Sequence, residues 1–383
     1  MKIPFGKPIL GYEEKKLVNK ILNSPILTHG NISKQFEKKF SKKFKITNVT
    51  TVSSCTSALF LSYLAIGIKK NDEIIVPNQT HVSTVHACEI LGAKPIFVDS
   101  DSSTGNIDIN KIEKKITKKT KAITIVHFLG KSVDMDKVLY LKKKYKLCLI
   151  EDCALSIGSK FKNKYVGSFG DFSCFSFYPT KHITTADGGM LCCKKIKDFN
   201  KVKLLKGFGV NKNFQERKIP GNYDVNLVGL NFRMDEIRSS LGLHQLDKLD
   251  KFIKLRKKNF LYLKQKLQKL PGVEILNTEC DKNIKSSYYS LCLILKSQFK
   301  NKRFEIIKKL NNKGIGTSIH YPKIVSDYNY YKKKYNLNRN DFLNASKISY
   351  SSFNLPIGPH LNKKNLEYIV YTLKKTILEI KKK

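Results

Sequence analysis

The sequence predicts an α/β protein with a mostly parallel central sheet in a large domain, followed by a smaller C-terminal α/β domain. Short β-rich segments alternate with helix-length amphipathic segments from residue 50 to about residue 195, a pattern typical of a parallel sheet covered by helices. After residue 245 this alternation gives way to a long lysine-rich segment and a break at Pro271-Gly272. We therefore predict a large domain over residues 1–245 and a small domain over residues 246–383.

The alternation resolves into individual strands and helices. The predicted strands are Glu73 to Val76, Pro95 to Val98, Ala122 to Val126, Leu147 to Ile150, Phe172 to Phe177 and Gly189 to Cys193. The predicted helices are Ser57 to Ile66, Val82 to Leu91, Asp134 to Tyr145 and, in the second domain, Leu246 to Leu270. Ligands of parallel α/β sheets bind beyond the carboxyl ends of the strands, so polar residues at those ends are the candidates for function.

The composition argues against a disordered chain and against a membrane protein. Hydrophobic residues make up 41% of the chain, and no apolar run approaches the roughly 18 residues that a spanning helix requires. The first residues show no apolar export signal, since Glu13 and Glu14 follow a short mixed stretch. The nine cysteines lack C-x-x-C spacing, which suits a reducing compartment. We expect a soluble cytoplasmic protein.

The net charge of +41 is compatible with a protein that binds a polyanion. The excess is almost entirely lysine and is spread along the chain, as in Lys111 to Lys121, without a concentrated basic arm or repeat. This distribution favours a solvated lysine-rich surface over a dedicated nucleic-acid site. A positive field would also attract a substrate that carries a diphosphate.

Three sequence elements together supply an acid, an amine and donors for a phosphate. The strand Leu147 to Ile150 runs directly into Glu151-Asp152, and the aromatic strand Phe172 to Phe177 is followed closely by Lys181. A small-residue turn at Ser53 to Leu59 opens a helix, where free backbone N–H groups can bind an anion. Taken singly, these are equally a strand-end cap, a solvated lysine and a helix cap. Together they match the needs of pyridoxal 5'-phosphate (PLP).

At these motifs the chain resembles the DegT/DnrJ/EryC1 family of PLP-dependent nucleotide-sugar aminotransferases, which have the fold of type-I PLP-dependent transferases. The matching segments are Phe36-Glu37, SSCTSAL at 53–59, VPNQTHVST at 76–84, FVDSD at 97–101, VHFLG at 126–130, EDCALSIGS at 151–159, SFYPTKHITTADGGM at 176–190 and GLNFRMDEIRSSLG at 229–242. They agree in order and spacing over nearly the whole chain.

The resemblance implies a role for each matched residue. Lys181 would bind the cofactor aldehyde as a Schiff base and act as the catalytic base, and Asp152 would keep the pyridine nitrogen protonated. His81 would stack on the cofactor ring. The predicted phosphate ligands are Ser54, Cys55, Thr56, Ser176 and, across a homodimer interface, Asn231 of the partner subunit.

In the second domain, the resemblance places His320 and Tyr321 near the sugar. The chain departs from the family pattern at two positions near the cofactor. Cys55 stands where the family usually has glycine, and Leu155 stands where a polar glutamine or histidine usually contacts the cofactor. Neither departure removes a group that transamination requires.

The family implies transfer of an amino group from L-glutamate to the C4 keto carbon of a nucleotide-linked keto-6-deoxyhexose. The product would enter amino-sugar and surface-glycan biosynthesis, such as that of lipopolysaccharide O-antigen. A related 3-dehydratase is the nearest alternative, but it has histidine where this chain has Lys181. A non-catalytic polyanion-binding protein and a cofactor-bearing regulator are further alternatives. No metal is expected, because the spacing of His81 and His86 does not put both on one helix face.

Overall fold

A seven-stranded sheet organises the first half of the chain. The structure is a computed structural model and describes residues 1–212, 217, 219 and 221–381. Its first nine strands are β1 (Asn48–Val52), β2 (Glu73–Pro77), β3 (Lys94–Val98), β4 (Thr120–Val126), β5 (Cys148–Asp152), β6 (Lys160–Phe161), β7 (Lys164–Tyr165), β8 (Phe172–Ser176) and β9 (Gly189–Cys193). The large sheet has the order β1-β9-β8-β5-β4-β2-β3. Strand β9 is antiparallel to both of its neighbours, and the other pairs are parallel.

Helices cover this sheet and connect it to a second, smaller one. The helices are α1 (Tyr12–Leu22), α2 (Asn31–Phe44), α3 (Cys55–Ala65), α4 (Val82–Glu89), α5 (Met135–Tyr145), α6 (Ile196–Leu205), α7 (Glu236–Leu267), α8 (Arg303–Asn312), α9 (Asn329–Tyr335), α10 (Leu343–Ser351) and α11 (Lys363–Lys381). The remaining strands are β10 (Val273–Ile275), β11 (Ile284–Lys285), β12 (Leu291–Leu295) and β13 (Ser352–Leu355). Strands β10, β12 and β13 form the smaller sheet, and β11 pairs with β6. Among the described helices, none is long and apolar enough to cross a membrane.

The prediction of an α/β fold with a mostly parallel sheet is confirmed, and each predicted strand and helix of the large domain is present. Strand β9 has the predicted ends, and the other elements have shifted ends. Strand β1 was not predicted, and its polar Thr50 and Thr51 explain why an apolar pattern missed it. The long C-terminal helix begins at Glu236 rather than Leu246, because Asp235 caps it by accepting a hydrogen bond from the Arg238 N–H at 2.7 Å.

Helix α7 packs against elements of the seven-stranded sheet and against elements of the smaller three-stranded sheet. Leu246 and Leu249 belong to a buried cluster with α2 and β9, whereas Phe260 and Leu263 lie in the cluster around β12 and α11. The predicted domain boundary between residues 245 and 246 falls inside this helix. The division into two domains remains a prediction.

Candidate active site

Asp152 ends β5 and is almost completely buried, with 4% of its surface exposed. Its Oδ2 accepts a hydrogen bond from the Thr84 hydroxyl at 2.8 Å, and its Oδ1 accepts one from the Ala154 N–H at 3.0 Å. Within the described part of the chain, no cationic side chain forms an ion pair with this carboxylate. A buried carboxylate held by neutral donors is well suited to accept a further, positively charged donor.

The neighbouring acid, Glu151, is part of a structural network. Its carboxylate accepts hydrogen bonds from the backbone N–H groups of Gly167 and Gly170 at 2.7 and 2.5 Å. The His127 Nδ1 accepts the Val133 N–H, so its Nε2 carries the hydrogen that is donated to Glu151 at 3.0 Å. These bonds occupy His127 and Glu151 and hold the segment between β7 and β8, which leaves Asp152 as the acid of the site.

Lys181 lies in the loop after β8, and its ammonium is 5.3 Å from the centroid of the Tyr289 ring. The backbone of this loop is tied to the C-terminal part of the chain by the buried guanidinium of Arg256. Arg256 donates to the carbonyl oxygen of Tyr289 at 2.8 Å and to that of Lys181 at 3.5 Å. Burial lowers the pKa of Arg256 to about 10, so the side chain stays charged at neutral pH.

The beginning of α3 forms a cradle suited to a phosphate. The Ser54 hydroxyl caps the helix by accepting the Ser57 N–H at 3.1 Å. The N–H groups of Cys55 and Thr56 belong to the first turn, which has no intrahelical acceptors for them.

Close packing brings a neighbouring strand to this cradle. Gly189 of β9 pairs with Ser176, and a Cβ at Gly189 would lie 2.6 Å from the carbonyl carbon of Ser54. The absence of a side chain at Gly189 therefore allows Ser176 and Ser54 to converge.

A row of four rings runs from His81 to Tyr289, whose ring lies next to the Lys181 ammonium. The centroid of His81 lies 5.3 Å from that of Tyr321, Tyr321 lies 5.4 Å from His320, and His320 lies 5.3 Å from Tyr289. Burial, together with the charge of Lys181, lowers the pKa of His320 to about 3 and also lowers that of His81. Both imidazoles are therefore neutral at neutral pH.

The two departures from the family pattern have different surroundings. The Cys55 Sγ is 4.0 Å from the Asp152 Oδ1, and burial raises the pKa of this thiol well above its usual value, so it stays protonated. Leu155 is 1% exposed and packs with Phe128 and Tyr289 in a hydrophobic cluster. At position 155 the chain thus presents a packing residue rather than a polar contact to the site.

Asn231 is an exposed residue of the segment that precedes α7. It forms an isolated antiparallel bridge with Gly207, and the carbonyl of the following Phe232 accepts the Ser53 N–H at 2.9 Å. The segment that carries Asn231 therefore runs beside the cradle, but its side chain makes no hydrogen bond to the other site residues. Nearby Val228 is 92% exposed.

The structure thus brings Lys181, Asp152, Cys55, His81, His320 and Tyr321 together, with Ser54, Thr56 and Ser176 at the cradle. Sequence reasoning missed two contributors, Thr84 and Tyr289. Thr84 lies three residues after His81, the N-cap of α4, and this spacing is a usable signal for side chains on the same face. Tyr289 carries no local signal, because only tertiary packing brings it to Lys181.

Comparison with known proteins agrees with this geometry. The model of the DegT/DnrJ/EryC1/StrS aminotransferase family matches residues 8–374. The chain belongs to this family. The family and the fold predicted from the sequence are both confirmed.

Relatives that align over nearly all of this family member carry the names of sugar enzymes. GDP-perosamine synthase of Escherichia coli O157:H7 is 36% identical over 369 residues, which cover 96% of each chain. A Campylobacter jejuni protein named UDP-4-amino-4,6-dideoxy-N-acetyl-beta-L-altrosamine transaminase is 32% identical and covers 95% of each chain. The Helicobacter pylori aminotransferase PseC is 30% identical, with a TM-score of 0.92 over 99% of this chain and 100% of PseC.

The prediction of an aminotransferase with PLP as cofactor is also confirmed at the level of the family. The sugar aminotransferase Spr1654 of Streptococcus pneumoniae, described as putative, is 25% identical with a TM-score of 0.92 over 99% of this chain and 100% of Spr1654, and its structures include a PLP form and a PMP form. The residues of this aminotransferase fit that cofactor. Asp152 is buried and has no ion-pair partner among the described residues, Lys181 is close by, and the first turn of α3 has N–H donors without intrahelical acceptors.

Proposed function

We propose that this aminotransferase transfers an amino group from L-glutamate to the C4 keto carbon of a nucleotide-linked keto-6-deoxyhexose. The observation that carries the proposal is the position of Lys181, which lies close to the buried carboxylate of Asp152 and acts with it on the same neighbours, Cys55 and His81. The names of two relatives support the substrate class, since one contains GDP and the other contains UDP and a 4-amino-4,6-dideoxy sugar. The amino donor rests on the family resemblance.

The proposed chemistry divides between the cofactor and the chain. When bound, PLP supplies an electron sink for the carbon that loses a proton. Lys181 would bind the cofactor aldehyde and move the proton, while Asp152 would hold the pyridine nitrogen in its protonated form. His81 would cover the face of the ring, and Ser54, Cys55, Thr56 and Ser176 would bind the phosphate. These groups leave the neutral rings of His320 and Tyr321 to contact the sugar.

The surroundings of His182 favour transamination over 3-dehydration. A dehydratase of this family has histidine in place of the lysine, and His182 directly follows Lys181. However, the His182 Nε2 donates to the carbonyl oxygen of Ser287 at 3.0 Å, and burial lowers its pKa well below the usual value. His182 is thus committed to a structural bond, and Lys181 is the base that the site offers.

The positive charge of the chain supports a diphosphate-bearing substrate. A charge of +41 raises the local concentration of anions and speeds their encounter with the protein. A dedicated polyanion binder would not require Lys181 to lie close to the buried carboxylate of Asp152, so the charge alone does not favour that alternative. The nine cysteines are free, which supports a reducing cytoplasm as the site of action.

The central test measures product formation and cofactor binding together. Purified protein, PLP and glutamate are incubated with a panel of nucleotide-linked 3-keto and 4-keto sugars, and amino sugars are detected by mass. We expect amination of a 4-keto sugar, and the Lys181→Ala variant should lose both turnover and the visible absorption of the bound cofactor. Lys160→Ala, at a half-buried lysine on β6, is the control. Normal turnover in Lys181→Ala, or product from 3-keto sugars alone, would contradict the proposal.

We also propose that the enzyme works as a homodimer in which Asn231 of the partner subunit reaches the phosphate. Exposed apolar side chains near this residue support a surface that a second subunit covers. Phe208 is 48%, Val225 is 52% and Val228 is 92% exposed. An isologous interface repeats each contact and would complete both sites together.

Mixing two inactive variants tests this arrangement, provided that Asn231→Ala alone abolishes activity. In a mixed dimer of Lys181→Ala and Asn231→Ala chains, one site collects both defects and the other collects neither. Up to about half of the sites in mixed dimers should therefore recover. Confirmed subunit exchange without recovered activity would show that Asn231 serves its own chain.

A further inference from the structure

Two buried threonine hydroxyls form a chain that ends on the Asp152 carboxylate. The Thr80 Oγ1 lies 2.9 Å from the Thr84 Oγ1, and the Thr84 Oγ1 lies 2.8 Å from the Asp152 Oδ2. Thr80 is 1% exposed and Thr84 is fully buried. The chain starts at the loop before α4 and crosses to the end of β5, so it joins two elements of the candidate site.

The direction of the hydrogen bonds in this chain follows from the chemistry of its last member. An ionised carboxylate can only accept, so the single hydroxyl hydrogen of Thr84 points to Asp152. The Thr84 oxygen is then the acceptor for the hydroxyl hydrogen of Thr80. Aligned hydroxyls polarise one another, which strengthens the bond that reaches the carboxylate.

The geometry points to Thr84 as a positioning residue for Asp152, with Thr80 supporting it. Thr84 holds Oδ2 while the Ala154 N–H holds Oδ1, so both oxygens are fixed and the carboxyl group cannot rotate freely. This inference rests on the proposed role of Asp152 toward the cofactor nitrogen. Thr84 would act through Asp152 rather than by contacting the cofactor or the substrate.

Loss of the Thr84 hydroxyl should lower PLP affinity and turnover, and it can be tested without leaving a cavity at position 84. Valine has nearly the shape of threonine but cannot donate, so Thr84→Val leaves the buried Oδ2 without this donor. Hydrogen bonds to charged groups are stronger than those between neutral groups, so we expect PLP affinity of the apoprotein and kcat each to fall at least about tenfold. The KM of the nucleotide sugar should stay within about twofold, because Thr84 does not contact it.

Two further variants separate the hydroxyl from the side-chain shape. Thr84→Ser keeps the donor and should bind PLP within about threefold of the wild type. Thr80→Val removes only the polarising partner, so its effect should be smaller than that of Thr84→Val. Thr124→Val is the matched control, because the Thr124 hydroxyl bonds the buried Tyr63 hydroxyl at 2.7 Å outside the site. It should lower the free energy of unfolding and leave PLP affinity unchanged.

The experiment measures three quantities for each variant together with Asp152→Asn. These are the Kd of PLP for the apoprotein, the pH midpoint of the visible absorption of bound cofactor, and kcat with KM. Thr84→Val should shift the pH midpoint, whereas a merely structural change would leave this midpoint in place. Should the Thr84→Val protein fail to fold, the Thr84→Ala variant is measured in its place.

The outcomes distinguish this inference from the proposed function. One outcome would overturn the role of Thr84 alone: Thr84→Val gives the same results as Thr124→Val in all three measurements, while Asp152→Asn is inactive. Thr84→Ser as impaired as Thr84→Val would also overturn it. Normal activity in Asp152→Asn would instead remove the proposed role of Asp152 itself.

Discussion

We predict that His320→Gln makes the stability of the protein less sensitive to acid. His320 is 7% exposed, and its Nδ1 accepts a hydrogen bond from the Asn354 side chain at 3.0 Å. Burial first, and then the charge of Lys181 and the neighbouring His81, lower its pKa from 6.5 to about 3. The folded imidazole therefore stays neutral down to pH values at which the unfolded imidazole has taken up a proton.

The sign and size of the effect follow from proton linkage. Between pH 6.5 and about 3 the unfolded state binds one more proton at this residue, so the free energy of unfolding falls as the pH falls. The loss attributable to His320 is about 1.4 kcal/mol between pH 7.5 and 5.5, and it grows by about 1.4 kcal/mol for each further pH unit. Glutamine cannot titrate in this range and should remove that part of the slope.

Urea unfolding at pH 7.5, 6.5, 5.5 and 4.5 measures this slope for the wild type and for His320→Gln. Comparing slopes rather than absolute values separates the proton effect from any loss of packing in the variant. His86→Gln is the control, because His86 is exposed. Equal slopes in the wild type and His320→Gln would refute the assignment of a neutral buried imidazole.

Two further predictions concern the cofactor side of the site. Asp152→Asn should keep PLP bound but lose most of its turnover, since a neutral amide cannot hold the pyridine nitrogen protonated; spectra and rates check this, and a near-normal rate would mean that Asp152 is only a strand-end residue. Gly189→Ala should cost about 1–3 kcal/mol of stability and weaken PLP binding, because its Cβ would lie 2.6 Å from a backbone carbon of Ser54. Urea unfolding and PLP titration test it beside Gly207→Ala, where the nearest atom is 3.5 Å away, and equal stability of the two variants would contradict the packing argument.

The sequence predicted the parallel strands well because buried strands are short apolar runs with polar residues at their ends. Strand β5 is such a run, and its last residue is Asp152. The same rule failed for β1, whose Thr50 and Thr51 are buried but satisfied by the Glu37 carboxylate. Local patterns do not reveal a polar strand whose partners lie elsewhere in the chain.

The family motifs located the residues that carry charge or bind phosphate, but not those that act through tertiary contacts. Tyr289 reaches Lys181 because Arg256 holds both carbonyl groups, and these three residues lie far apart in sequence. Nothing in the periodicity of any one segment reports such a contact. Thr84 is an intermediate case. It lies within a recognised motif, but its proposed role became visible only through its hydrogen bond to Asp152.

Burial keeps several titratable side chains of the candidate site uncharged, and this affects where the sugar and the nucleotide of a substrate can bind. His320 and His81 are neutral, and the Cys55 thiol and the Tyr321 phenol keep their protons, because burial disfavours each charged form. Formal charge near these four side chains comes from Lys181, which is half-buried, and from Asp152, which is buried. An aromatic and neutral wall of this kind suits the uncharged sugar ring, whereas a diphosphate would be poorly solvated against it. We therefore expect the nucleotide to lie outside the wall, toward the lysine-rich surface.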